Sequence, residues 1–464
     1  MGRLVLAEER LLSYLESLSR PDAYSVGLIL GQSTAQKDFV IHLAKTLPAS
    51  NAEVVEEPLL TPVTETPKDT SEDYIKSVKD IDINLVADHA KHVTRMLPGG
   101  MSVLGIFIVG PEDCLNNSAH AQKLRTVLSA IHKSLASNSY LYGISDHENL
   151  ILGFNSVTKL HVCKSVDVSS GGILKPADWK FQKKITTWHH LEALVDFDHL
   201  FPVPDDMHPH TLERQLQSIV ERISEMVNNA LVVIEDEPKS PEDVIESFAT
   251  KKNLGKGEEG DELDEVLQVG VHVPCSFKEK SNSIKTISCS ASMRLMGQLV
   301  SKTALHQRAT VKEATSAVRQ DILRSLASRL ELHLNSVIEE ENGSPEENVT
   351  LHEPPRRVLF ELPINKVTLS DYLFPGEEPT VSLVLLHQLL DIEVQEDQIQ
   401  KDAEKQVDPS EFYCQNEVKT KPIDQGKEPK YSSNFTLYIA SIVIAFLFAI
   451  LGILIYQLST GKRN

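Results

Sequence analysis

The densest group of side chains able to do chemistry lies in residues 188–210, which read WHHLEALVDFDHLFPVPDDMHPH. Its histidines and aspartates are His189, His190, His199, His208, His210, Asp196, Asp198, Asp205 and Asp206. Imidazoles and carboxylates are plausible ligands for Zn²⁺. Three prolines interrupt the segment, however, and no two histidines stand four residues apart as they would on one face of a helix. We therefore favour a solvated connecting loop over a metal site.

Other motifs that carry enzymatic chemistry are missing from the sequence. It contains no phosphate-binding loop, dinucleotide fingerprint, nucleophile elbow or HExxH zinc motif, and no cofactor is predicted. The cysteines are few and far apart, which is typical of free thiols in a reducing compartment: Cys114, Cys163, Cys275, Cys289 and Cys414. A net charge of -20 argues against a nucleic-acid partner, because it repels phosphate.

Two glycine-bearing strands and a following SAHA sequence form a second candidate site. The strands are predicted in YSVGLILG and MSVLGIFIV, and SAHA begins nine residues after the end of the second strand. The order of these elements resembles the MPN domain of the JAMM metalloproteases, an α/β sandwich that cleaves ubiquitin-like modifiers. In that family the matching positions supply a glutamate base, two zinc-binding histidines, a serine and a zinc-binding aspartate. This chain has Tyr24, Ile108, Gly110, Ser118 and Ala121 there.

These replacements remove the zinc chemistry, because isoleucine, glycine and alanine cannot bind the ion and a tyrosine is not a carboxylate base. The resemblance therefore implies an inactive scaffold with no catalytic residue and no metal. The predicted fold class is mixed α/β: an MPN-like sandwich with a degenerate metal site, a second mixed α/β region and one C-terminal transmembrane helix.

Composition and periodicity predict the division of the chain. Apolar stripes at helical spacing predict helices over residues 75–97, 211–234 and 310–339, and NLILGFN and KLHVCKSVDV predict a hairpin. The predicted parts are an MPN-like domain at 1–234 with a flexible insertion at 48–71, an acidic linker at 235–265, a second region at 266–395 and a charged tether at 396–432.

Residues 435–458 predict a membrane span. The segment FTLYIASIVIAFLFAILGILIYQL is uncharged, and a helix of this length extends about 36 Å, enough for a bilayer core of about 30 Å. The anchor residues that we single out are Phe435, Tyr438, Ile444, Phe448, Leu451, Tyr456 and Leu458. Glu8, Glu9 and Arg10 interrupt the N-terminal apolar run, so no secretory signal is predicted. We expect a tail-anchored protein with a cytosolic body and a short luminal tail at 459–464.

Blocks along nearly the whole chain carry a closer resemblance. GLILGQSTAQKDFV, RMLPGGMSVLGIFIVGPED, NLILGFNSVTKL, PADWKFQ, RRVLFELP and LSDYLFPGE, together with the terminal span, resemble the odorant-response-abnormal protein four family. The resemblance implies an endoplasmic-reticulum membrane protein that helps chemosensory G-protein-coupled receptors reach their membrane. It also implies recruitment of a cysteine protease specific for the ubiquitin-fold modifier.

Three functions follow as hypotheses. The favoured one is a non-enzymatic, tail-anchored adaptor in the endoplasmic reticulum membrane. A metal-dependent isopeptidase of the MPN class is disfavoured, because its ligands are absent. The third is a membrane tether without specific clients.

Overall fold

Strands and helices alternate along the part of the chain that the computed structural model describes, residues 2–47, 75–143, 148–204, 211–248, 266–273, 288–341 and 354–405. The strands are β1 Leu4–Glu8, β2 Ser25–Ser33, β3 Lys37–Lys45, β4 Ser102–Gly110, β5 Asn149–Asn155, β6 His161–Val166, β7 Lys175–Gln182, β8 Trp188–Pro204, β9 Leu231–Ile234, β10 Val266–His272, β11 Cys289–His306, β12 Arg356–Glu361 and β13 Thr368–Leu373. The helices are α1 Glu9–Ser17, α2 Ile83–Met96, α3 Ser118–Leu135, α4 Ser139–Tyr142, α5 Leu212–Asn229, α6 Val311–Glu341 and α7 Pro379–Leu390. The predicted mixed α/β class is confirmed.

The first seven strands close into a barrel in the order β1-β3-β2-β4-β5-β6-β7. β2 pairs with β3 and β4 in antiparallel fashion, whereas β4 pairs with β5, and β1 with both β3 and β7, in parallel. One apolar cluster draws residues from all seven strands and from α1, so it fills the barrel; Leu15, Ile29 and Phe107 are among its fully buried members. The predicted β5–β6 hairpin is present.

A second apolar layer covers the outside of the barrel. Val93 of α2, Leu124 of α3, Ile106 of β4, Leu369 of β13 and Leu386 of α7 belong to one buried cluster. Side chains alternate between the two faces of a strand, so β4 can contribute to both the barrel interior and this outer layer. The helices and the C-terminal hairpin β12–β13 are thus held on the barrel by apolar burial.

A four-stranded sheet, β11-β8-β10-β9, forms the other half of the body. β8 and β11 pair along their whole length, from Trp188 opposite His306 to Pro204 opposite Cys289. Helices α5 and α6 supply Ile223 and Val318 to the core that covers this sheet.

This sheet changes the predicted division of the chain. β8 belongs to the predicted first domain, yet it pairs with β10 and β11 of the predicted second region, and residues 1–406 group as one compact unit. The predicted linker also differs in its first part: Ile245 N donates to Ala309 O at 2.9 Å, and Val311 N donates to Asp243 O at 2.9 Å. Pairing between strands some 100 residues apart joins the two regions, and no local pattern reports it.

Three element boundaries also differ from the prediction. Helix α2 begins at Ile83 rather than at residue 75, because the Asp82 carboxylate accepts from Asn84 N and Leu85 N and caps the helix there. The helix predicted over 211–234 ends at Asn229, and residues 231–234 form β9 instead.

The third difference lies at the predicted tether. Its first residues pack on the body: Gln400 pairs with Leu359, and the Glu404 carboxylate accepts from Arg329 Nη2 at 2.6 Å. Within the described residues no helix combines the length and the apolarity needed to cross a bilayer. The predicted insertion at 48–71, most of the linker, the rest of the tether, the span at 435–458 and the tail lie outside the described residues.

Candidate functional site

The positions that resemble a metalloprotease site meet at one end of β2 and β4. Val26 pairs with Ile108 and Ser25 with Val109, so Tyr24 and Gly110 stand next to each other at the end of the two strands. The Tyr24 backbone is fixed by Ile75 through hydrogen bonds of 2.7 and 3.1 Å. The structure therefore brings the tyrosine at the base position beside the glycine at the second ligand position.

The Tyr24 ring fills the space that a side chain at position 110 would need. An ideal Cβ built on Gly110 would lie 2.1 Å from Tyr24 Cδ1 and 2.3 Å from Tyr24 Cε1. The Tyr24 side chain is buried, with 6% relative exposure. A histidine at position 110 is incompatible with this ring placement, so the loss of the ligand and the presence of the aromatic ring are physically linked.

The other three positions do not converge on an open centre. Ile108 is fully buried in the apolar layer that also contains Tyr24 and Leu124. Ser118 is the exposed first residue of α3, which the Asn117 side chain caps by accepting from two backbone N–H groups. Ala121, in the first turn of that helix, is buried with 8% exposure. Nothing in this arrangement presents a ligand to a metal.

Tyr24 and the neighbouring Cys114 are held in their neutral forms. Burial, followed by the charges of Cys114 and Glu112, raises the pKa of Tyr24 above its ordinary value. Burial, with Glu112 and Asp113, raises the pKa of the Cys114 thiol to about 12. Because the thiolate is the reactive form, Cys114 is a poor nucleophile at neutral pH.

The space beside this position is also small. A cavity of about 150 Å³ borders Tyr24, Ile75 and Val86, below the roughly 300–1,000 Å³ of small-molecule sites. In the part of the chain that the structure describes, no three histidine, cysteine, aspartate or glutamate side chains are arranged to hold a metal. The geometry provides packing rather than a substrate pocket.

The histidine-rich segment is a strand, not the solvated loop that its prolines suggested. Residues 188–204 form β8, whose Asp198 accepts from Arg294 Nε and Nη2 of β11 at 2.8 Å each. His199 lies between the rings of Phe197 and Phe201, at centroid distances of 6.1 and 6.4 Å. Among the described residues 188–204, the strand pairing separates these side chains and no metal-binding group forms.

The remaining residues of that segment have separate surroundings. His189 Nε2 lies 3.1 Å from Gln307 O, and burial lowers the pKa of His189. Asp196 accepts a hydrogen bond from Gln298 Nε2 at 3.0 Å. The His190 residue also has an interaction partner. Asp205, Asp206, His208 and His210 lie outside the described residues.

A buried charged cluster on α6 was not found by sequence reasoning. Arg357 of β12 donates two hydrogen bonds to the Asp321 carboxylate, at 2.8 and 2.9 Å, and Gly99 N donates to the same carboxylate at 2.9 Å. Burial alone would lower the pKa of Arg357. The charge of Asp321 opposes this effect and helps to raise the pKa above its ordinary value. The pair fixes the C-terminal hairpin to the long helix and to the turn that precedes β4.

A second buried guanidinium stands one helical turn further along α6. Arg324 donates from Nη1 to Leu97 O at 2.8 Å and to Pro98 O at 2.9 Å, and from Nε to Leu141 O at 3.1 Å. Burial lowers the pKa of Arg324 to about 10. The sequence signal for this buried cluster is a second stripe of residues at helical spacing on α6. Its members are polar and fully buried: Asp321, Arg324, Ser325 and Ser328.

The family model described as "ODR4-like: Odorant response abnormal 4-like" matches residues 27–401 of this chain. Relatives include the Protein odr-4 homolog of Mus musculus, 29% identical over 413 residues that cover 85% of this chain and 84% of the relative. The Protein odr-4 homolog of Gallus gallus is 30% identical over 392 residues, covering 81% of each chain. The Odorant response abnormal protein 4 of Caenorhabditis elegans is 22% identical, covering 83% and 79%.

Among solved structures, UfSP from C. elegans aligns with a TM-score of 0.44 and 10% sequence identity. The alignment covers 84% of this chain, and this chain spans 57% of the length of that structure.

Proposed function

Because the chain belongs to the Odorant response abnormal 4-like family, we propose that it is a non-enzymatic adaptor for the trafficking of odorant-type G-protein-coupled receptors. The adaptor is anchored in the endoplasmic reticulum membrane by residues 435–458. It also recruits a cysteine protease specific for the ubiquitin-fold modifier. The names of the family and of its relatives refer to the odorant response and to no reaction, which agrees with a role in binding.

The contact between Tyr24 and Gly110 is the observation that carries this proposal. On an MPN-like scaffold these two positions would hold a catalytic base and a zinc ligand, and here the ring of one occupies the side-chain space of the other. Reverting a single residue does not reopen such a site, because the ring and the apolar layer behind it fill the space. When packed side chains fill the catalytic positions of a scaffold, the scaffold acts by binding other molecules through its surface.

The membrane anchor gives the adaptor its place of action. Residues 406–434 separate the described body from the predicted span, and 29 residues reach at most about 100 Å when extended. Confinement near the membrane raises the effective concentration of the body at membrane-bound clients, so a weak contact suffices for function.

Affinity purification from detergent-lysed whole cells tests the proposal, because a chain without the span is also present in that extract. The tagged full-length chain is compared with a chain truncated after Ser433 and with a matched control whose residues 435–458 are replaced by an unrelated apolar helix of equal length. We expect the modifier-specific protease with all three forms, and the receptors with the full-length chain and the helix-replacement control.

Three outcomes oppose parts of this account. If receptors appear with the native span but not with the replacement helix, the span itself recognises clients and does more than anchor the body. If neither receptors nor the protease are retained by any form, the adaptor role is wrong. Stoichiometric zinc in the purified protein would revive the isopeptidase alternative.

A further inference from the structure

One end of the barrel carries exposed aliphatic and basic side chains in an otherwise acidic protein. The β5–β6 turn exposes Val157 and Leu160, with relative exposures of 68% and 69%. The turn that follows β7 exposes Ile185, at 51%. Lys159, Lys183 and Lys184 are exposed in the same two turns.

The strand pairing places both turns at the same end. β6 and β7 are antiparallel, with Cys163 opposite Ala177, so the start of β6 lies beside the end of β7. The rings of His161 and Phe181 confirm the proximity, since their centroids are 5.1 Å apart. We name Val157, Lys159, Leu160, Lys183, Lys184 and Ile185 the basic tip.

Both turns are held in fixed shapes by their own hydrogen bonds. In the β5–β6 turn the Asn155 side chain accepts from Val157 N at 2.9 Å and from Thr158 N at 2.8 Å, and Asn155 N donates to Leu160 O at 2.8 Å. In the other turn Gln182 Nε2 donates to Thr186 Oγ1 at 3.0 Å. The aliphatic side chains are therefore displayed on the outside rather than folded back into the core.

The local charge is opposite to that of the whole chain. Residues 156–166 and 179–191 contain five lysines and no aspartate or glutamate, although acidic residues outnumber basic ones by 66 to 46 overall. Acidic residues border these segments: Asp178 forms an ion pair with Lys180 at 2.9 Å, Glu8 lies opposite Gln182, and Glu112 and Asp113 follow β4. Lys159, Lys183 and Lys184 thus lie in the same two turns that expose the aliphatic groups, and neither turn contains an acidic residue.

We propose that the basic tip docks on an anionic lipid surface. Aliphatic side chains that protrude among lysines match the boundary between lipid headgroups and acyl chains, where apolar groups insert and cations meet anionic lipids. An acidic protein partner fits less well, because the charges are lysine ammonium groups without the bidentate geometry of arginine, and because the aliphatic groups protrude instead of forming a groove. The inference rests on the proposed anchorage of the chain in a membrane.

Docking would give the anchored body a defined orientation. The 29 residues between the body and the predicted span are long enough to permit any face to meet the bilayer. Contact through the basic tip selects one orientation.

Tryptophan quenching by brominated lipids measures this contact. The chain has two tryptophans, Trp179 and Trp188, and both are buried, with relative exposures of 6% and 8%. Leu160→Trp places a new indole at the tip. Ile173→Trp is the matched control, because Ile173 is 82% exposed in the β6–β7 connection, at the opposite end of the same two strands.

The full-length variants are reconstituted into brominated phosphatidylcholine vesicles with or without about 30% phosphatidylserine. After subtraction of the parent signal, we expect Leu160→Trp to be quenched at least twofold more in the anionic vesicles, and Ile173→Trp to stay at background. Adding Lys159→Glu, Lys183→Glu and Lys184→Glu should remove most of the quenching without changing the unfolding midpoint, because these lysines are exposed. About 1 M salt, which shortens the Debye length to about 3 Å, should weaken it as well.

Equal quenching at both positions, or quenching that ignores the lysine substitutions, would overturn the proposal. Absent lipid quenching combined with lysine-dependent cross-linking to an acidic protein would overturn it in favour of a protein partner. Resistance of the reconstituted chain to alkaline carbonate reports the anchor separately. A chain that resists extraction while Leu160→Trp is unquenched therefore retains the anchor and refutes only the docking.

Discussion

Arg357 and Asp321 form a bidentate ion pair in which the two side chains are only 2% and 0% exposed. The pair links hairpin β12–β13 to helix α6, and Asp321 also accepts from the glycine turn before β4. Three parts of the chain that are far apart in sequence therefore depend on one carboxylate. The C-terminal residues up to 405 are therefore part of the folded body that a partner protein would contact.

Removing this carboxylate should destabilise the body strongly. Asp321→Ala leaves the buried Arg357 guanidinium without its counter-charge, and breaking a buried pair in this way costs about 3–5 kcal/mol. Urea unfolding of the full chain, followed by circular dichroism, measures the change. The double variant Asp321→Leu with Arg357→Met should lose less, because no unpaired charge remains; a single variant that loses under about 1 kcal/mol would contradict this account.

The contact between Tyr24 and Gly110 predicts a coupled pair of substitutions. Gly110→Ala should cost about 1–3 kcal/mol in the native background, since its Cβ would lie 2.1 Å from the ring. In a Tyr24→Ala background the same change should cost clearly less, because the ring is gone. A double-mutant cycle from unfolding midpoints measures the coupling.

Gly153→Ala serves as the control for that cycle, because a Cβ there meets Leu115 at an ordinary 3.4 Å. It should leave stability nearly unchanged in both backgrounds. Additive effects of the substitutions at positions 24 and 110 would show that the ring does not fill the position.

Two buried histidines should make stability depend on pH. His42 Nε2 lies 2.6 Å from Leu390 O, and His89 Nε2 lies 2.7 Å from Leu389 O, so neutral imidazoles donate to the last carbonyls of α7. Burial, the largest effect, lowers the pKa of each histidine from 6.5 to about 4. The unfolded chain therefore binds more protons than the folded chain between pH 6.5 and pH 4, and stability falls as the pH falls.

Each histidine should lower the free energy of unfolding by about 2 kcal/mol between pH 7 and pH 5. Urea midpoints at these two pH values measure the decrease. His89→Gln keeps an N–H donor but cannot titrate, so it should remove roughly half of the pH dependence. Equal pH dependence in the variant and the native chain would contradict the assignment to His89.

Residues 395–405, which we call the C-terminal strap, should detach from the body when Glu404 is replaced. Its carboxylate accepts from Arg329 Nη2 at 2.6 Å and from Val300 N at 3.0 Å, with 6% side-chain exposure. Glu404→Ala should cost about 1.5–3 kcal/mol locally and increase proteolytic cleavage between residues 395 and 405. Glu396→Ala, at an exposed position of the same strap, should leave the cleavage rate unchanged.

The elements that the sequence predicted are those with a clear local period. The β5–β6 hairpin, the strands β2 and β4 and the helix α6 follow from apolar runs or from helically spaced apolar residues. β8 carried the same kind of signal, because Leu191, Ala193, Val195 and Phe197 stand at alternate positions and are buried. Its histidines and prolines nevertheless favour a loop when only the sequence is considered.

Other features could not be predicted from local sequence patterns. The end of α5 at Asn229 was missed because Leu231 continues the helical stripe, although it lies in β9 with 62% exposure. The pairing of β8 with β11 depends on contacts across about 100 residues. At the candidate site the identity of the replaced residues was readable, whereas the contact between Tyr24 and Gly110 required the three-dimensional register of β2 and β4.

Surface delivery of an odorant-type receptor tests the central claim most directly. Cells that lack the endogenous protein are supplied with the native chain, with a chain lacking residues 435–458, or with a matched chain that carries an unrelated apolar helix in their place. Receptor at the cell surface is quantified by labelling intact cells. The account predicts that the native chain and the helix-replacement chain restore delivery and that the deletion does not. Full rescue by the deletion, or no rescue by the native chain, would contradict a membrane-anchored adaptor.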